Sequence, residues 1–159
     1  MMTRGIIDQM LYFMDEAFEG EMAQSLLSNL EGLREEDWEW VPQGGGRSIA
    51  QIANHTAGAL FMWENHSFGA GELTWEDPRW YEERSITQMS EWLRQAYGTL
   101  RSRVAELDDE QLLEPRPTHW GGTVETRRVI ASTVEHLAYH AGEINHIRAL
   151  HQGDDAWSW

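Results

Sequence analysis

The sequence predicts an all-α fold, a four-helix bundle with long connectors. Three observations carry this. Four segments repeat apolar residues at steps of three and four. Each of the later three starts or stops on a recognisable cap. No segment alternates apolar and polar residues for long enough to form a sheet.

The first helix is expected from about Arg4 to Leu30, on Ile6, Ile7, Met10, Leu11, Met14, Phe18, Met22, Leu26 and Leu30. Gly20 is its weak point, costing ~1 kcal/mol relative to Ala. The second begins at Ser48, which forms a capping box with Gln51, and ends between Ser67 and Gly69. The third begins with the same device at Ser85 and Gln88. It continues through Ile86, Met89, Leu93, Ala96, Tyr97, Leu100, Val104 and Leu107. The fourth spans about Thr126 to Gln152, with Gly153 as its stop and Arg148 suited to the negative end of its dipole. Connectors of similar length occupy Glu31–Arg47, Phe68–Arg84 and Asp108–Glu125. Each could stretch ~56 Å, longer than the ~33 Å of a typical helix here. Any of them could cross the bundle end to end, so a simple up-down-up-down order is not required. Residues 1–153 read as a single domain and 154–159 as a short tail whose two Trp residues could pack back. The connector residues Trp38, Trp40, Trp75, Trp80 and Trp120 are expected to cap the bundle ends, some of them walling a pocket. Glu35–Asp37 and Asp108–Glu110 are expected as solvated helix caps.

Composition narrows the function. The 159 residues include 12 basic side chains, all Arg, against 27 acidic ones, a formal net charge of −15. Such a charge repels phosphate backbones and argues against nucleic acid. There is no Cys, which excludes disulfides, thiolate metal sites and a protein thiol nucleophile. No apolar run approaches the ~20 residues of a membrane span, and Asp8, Gln9 and Asp15 interrupt any secretory signal. The expected location is cytoplasmic.

The seven histidines are the chemical signal. His136 and His140 stand four apart on the fourth helix, close enough on one face to share a metal ion. They fall in one arc with Val129, Glu143, Ile147 and Leu150, the stripe expected to face the core. Buried imidazoles need hydrogen-bond partners or a metal. A third ligand must come from another helix. His55 is the best candidate, because it shares a face with Ile52, Ala59 and Met62. His66 lies ~16 Å further along the same helix and cannot join it. The direction of His119 is not readable, and His146 and His151 diverge toward the surface.

Three stretches resemble the DinB-like superfamily of small bacterial four-helix proteins: NLEGLREEDWEWVP, SIAQIANHTAGALFMWE and VEHLAYHAGEINHIRAL. The resemblance covers about Met10 to Gly153. The family pattern places one His on the second helix and His-x3-His on the fourth, with a Gln often following. The resemblance implies a divalent metal, zinc or nickel, held by His55, His136 and His140. Glu143 stands where Gln is usual, and is the candidate catalytic residue, as a base or as an acceptor for a ligand histidine's N–H. The activity implied is that of a metal-dependent transferase, which activates a small external thiol for attack on an electrophile. Mycothiol, bacillithiol and glutathione are all compatible. The alternatives are a non-enzymatic ligand-binding or stress-response protein with the same His site, a closed metal site that only stabilises the fold, and a hydrolase in which the metal activates water. A homodimer is also implied.

Overall fold

The computed structural model describes residues 4–21 and 24–154. The described residues form six α-helices: α1 (Gly5–Glu19), α2 (Leu26–Leu30), α3 (Glu35–Trp38), α4 (Ile49–Phe68), α5 (Ile86–Ala105) and α6 (Thr126–Gln152). The long helices α1, α4, α5 and α6 form the bundle. The predicted capping boxes are present: the Ser48 and Ser85 hydroxyls accept from the Gln51 and Gln88 N–H, and the glutamines accept in return. Gly153 closes α6 at φ 75°, a left-handed conformation that Gly adopts without a Cβ clash.

The predicted single first helix is broken. It stops at Gly20, where a Cβ would come within 2.5 Å of the Glu16 carbonyl oxygen, and α2 resumes after Ser25. The apolar spacing continues across the break because both pieces bury the same kinds of side chain against one core. Met22, part of the predicted stripe, lies outside the described residues, as do Trp157 and Trp159 of the tail.

Two short segments add a small hairpin to the all-α fold. Pro115–Pro117 and Thr123–Glu125 pair as an antiparallel hairpin. Three-residue strands are too short to show alternation, and proline fits here because the ladder has only two strands, both edges.

Hydrogen bonds between helices fix their directions. Arg101 pairs with Asp15 and Arg94 with Glu19, while Arg4 donates to the Leu107 carbonyl. The start of α1 therefore meets the end of α5, and the two helices are antiparallel. Trp38 Nε1 donates to the Arg84 carbonyl just before α5, and Arg103 near its end pairs with Glu64 near the end of α4. Because Ser48, just before α4, bonds Glu39, just after α3, α4 and α5 run parallel. Ser67 reaches Pro117 beside the start of α6, whose last residues, His151 and Gln152, reach Asp37. The order is up-down-down-up, and α1 and α4 both pack between α5 and α6.

Parallel α4 and α5 need a connector that travels the bundle length, and residues 69–85 do so. This strap returns along α4 itself: Leu73 bonds Asn65 and His66, and the Trp80 carbonyl accepts from Asn54. Between them Trp75 crosses Gly58, where a Cβ would sit 2.8 Å from its ring. Trp75 and Trp80 thus line the side of α4 instead of capping an end. Asp37 is likewise not a solvated cap but fully buried. Among the described residues no helix is long and apolar enough to cross a membrane.

Candidate metal centre

Antiparallel α4 and α6 bring together residues far apart in sequence. His55 is in the second turn of α4, and His136 and His140 are in the middle of α6. Their Nε2 atoms converge: His55 to His136 is 3.2 Å and His136 to His140 is 3.1 Å. The ligand atoms of all three lie within 4.8 Å of one another. His140 is buried, and the other two are partly covered.

Glu143, one turn after His140, supports the cluster from behind. Its Oε2 accepts from His140 Nδ1 at 2.8 Å, while Oε1 accepts from Arg47 at 2.8 Å. The Nδ1 bond fixes the His140 tautomer, leaving the Nε2 lone pair directed at the cluster. Trp75 stacks on His55 with ring centroids 5.6 Å apart and planes 17° apart. Trp63 meets His136 edge-on at 5.1 Å.

Burial keeps the rings neutral. It lowers the pKa of His55, His136 and His140; neighbouring imidazoles add to this for His55 and His136, and the His140 shift is opposed in part by Glu143. His136 is pushed down to about 3. Neutral imidazole is the metal-binding form.

The donor set fits a cation. With its proton on Nδ1, His140 presents a bare Nε2 lone pair to His136. His136 Nδ1 is buried with no hydrogen-bond partner. Three nitrogens, with His136 Nε2 within 3.2 Å of each of the other two, cannot all be satisfied by shared protons, whereas one positive ion between them satisfies each lone pair. Glu143 turns both oxygens away to Arg47 and His140. Among the described residues the cluster therefore offers three protein ligands, and a tetrahedral ion would keep a position open.

The remaining histidines lie apart. His66 Nε2 donates to the Leu73 carbonyl at 2.7 Å. His119, whose direction the sequence left open, sits among Trp63, Trp75 and Trp120. His151 is not a surface residue but bonds buried Asp37. Leu150, in the predicted core arc, is exposed. Nothing in the sequence singles out Arg47: it follows a run of three glycines and has no periodic neighbour to mark its direction.

The fold and cluster define a class: a small helical bundle with three core-facing histidines on two antiparallel helices. The DinB superfamily model matches residues 20–144, and the chain belongs to that superfamily. The crystal structure of a DinB-like protein from Bacillus cereus is similar in fold, with a TM-score of 0.69 at 13% identity, covering 96% of this chain and 95% of that one. A search of curated proteins found no match.

Proposed function

We propose that the chain is a metal-dependent transferase that uses a small external thiol, with His55, His136 and His140 holding zinc or nickel. The observation that carries this reading is the convergence of three neutral imidazoles with no fourth protein ligand among the described residues. When bound, the divalent ion lowers the pKa of a coordinated thiol and supplies a nucleophile near neutral pH. The thiol sulfur forms the new bond to the electrophile, the leaving group departs with its bonding pair, and the thiol proton goes to solvent. With no Cys in the chain, the thiol arrives as a co-substrate.

Glu143 acts here through His140. Arg47 holds its carboxylate in place, and the carboxylate holds the imidazole in the ligand tautomer. Glu143→Gln is the informative variant, because the amide oxygen still accepts from Nδ1. Thiol consumption by zinc- or nickel-loaded protein is measured across several electrophiles. Metal-dependent turnover is expected, largely kept in Glu143→Gln and reduced about 10- to 100-fold in Glu143→Ala, with a parallel loss of metal affinity. Collapse of turnover in Glu143→Gln with metal retained would instead make Glu143 the base. No consumption of any thiol would leave hydrolysis or ligand binding.

The homodimer belongs to the same reading. An apolar groove between α1 and α6, lined by Met10, Phe13, Ile130 and Val134, is the surface it would cover. Light scattering should give twice the chain mass, and a monomer at high concentration would refute it.

A further inference from the structure

A second groove, about 370 Å³, opens beside His136. Its aromatic walls are Trp63, Trp120 and Tyr139. Two of these rings touch the cluster directly: Trp63 lies edge-on to His136, and Tyr139 edge-on to His140 at 5.0 Å. Trp120 stands on the hairpin loop, edge-on to His119 at 4.9 Å, just before Gly121 and Gly122, both at positive φ. Trp120 is 53% exposed and Tyr139 65%. Large rings left in water around one opening mark a binding surface better than scattered ones do. The Trp63 indole N–H is buried with no acceptor.

The groove is electrically quiet despite the acidity of the chain. Its charged lining residues are Arg128 and Glu135, and they bond each other at 3.2 and 3.3 Å. The surface offered is therefore apolar and π-rich, with its charges cancelled within one pair. Aromatic walls favour a flat ring through edge and offset-stacked contacts, which a saturated ring of the same size cannot reproduce.

We infer that this groove is the electrophile's subsite and takes an uncharged aromatic ring, placing it against His136. The inference rests on the metal-dependent transfer reading for the word electrophile; the ring preference rests on the groove alone. It also accounts for the hairpin, which presents Trp120 to the groove.

The test uses benzyl alcohol as an unreactive probe and cyclohexylmethanol as its saturated counterpart, titrated into the full chain with and without zinc. Indole N–H resonances are followed by NMR. Benzyl alcohol should shift Trp63 and Trp120 saturably. Tyr139→Ala, at an exposed position, should weaken binding about fivefold, and cyclohexylmethanol should bind more weakly than benzyl alcohol. Phe13→Ala, in the groove between α1 and α6, should leave the affinity for benzyl alcohol unchanged. Shifts confined to the Phe13 groove, full affinity in Tyr139→Ala, or equal binding of the two alcohols would overturn the inference. Zinc uptake is measured separately on the same samples. Uptake without ring binding removes the groove and leaves the metal reading standing. Ring binding without uptake keeps an aromatic-ligand site and removes the electrophile assignment.

Discussion

His136→Ala is expected to abolish zinc or nickel uptake and the stabilisation that comes with it. His136 is the middle ring of the cluster, within 3.2 Å of both other Nε2 atoms, so its loss leaves two ligands on opposite sides of a gap. A ligand present at 1,000 times its dissociation constant stabilises the folded state by ~4 kcal/mol. For a chain of this length that corresponds to a rise in Tm of roughly 8–16 °C. The wild type should show a rise of this order on adding metal, and the variant none. Without metal the two proteins should lie within about 1 kcal/mol of each other. The lost packing of a partly covered ring is offset by removing a buried Nδ1 that has no partner. Equal Tm values with and without metal in the wild type would sink the metal centre.

Asp37→Ala should be the most damaging substitution away from that centre, at about 3 kcal/mol. The Asp37 side chain is fully buried. It accepts from the Arg34 backbone N–H and guanidinium, from His151 Nδ1 at 2.6 Å and from Gln152. It thereby ties α3 to the last turn of α6. Burial alone would raise its pKa, but the bonds from Arg34, Gln152 and His151 outweigh this and hold the carboxyl well below the usual range. A folded pKa below the unfolded value of about 3.9 means the contribution is complete above that pH. It is lost as pH falls toward the folded value. Urea midpoints of wild type and variant should thus differ most near neutrality. The gap should narrow by about 1.4 kcal/mol per pH unit below about pH 3.9. A gap that stays constant into acid would show that Asp37 acts through packing alone.

The bundle was legible because its signals are local. Ser48 with Gln51, Ser85 with Gln88, and Gly153 each mark a boundary through bonds made within one turn. The three histidines were legible for a related reason: helical spacing fixes the face of His136, His140 and His55 before any partner is known. What escaped was set by tertiary placement. Asp37 looks like one more acid in a charged run until His151 and Gln152 arrive from the other end of the chain. Arg47 is unremarkable in its loop until Glu143 meets it. Gly20 reads in the sequence as a weak point and not as a stop, since apolar periodicity cannot tell one helix from two in line.

The returning strap divides labour within the site. Both histidine-bearing helices belong to the bundle core, where substitutions disturb packing. Trp75, which covers His55, belongs instead to the connector of residues 69–85. Connectors accept changes of sequence and length far more readily than the elements they join. Changes in the strap can therefore alter the cover over His55 while the three nitrogens stay where the helices place them. The strap and the hairpin are thus the parts around the cluster that can vary, and the four helices are the frame that cannot.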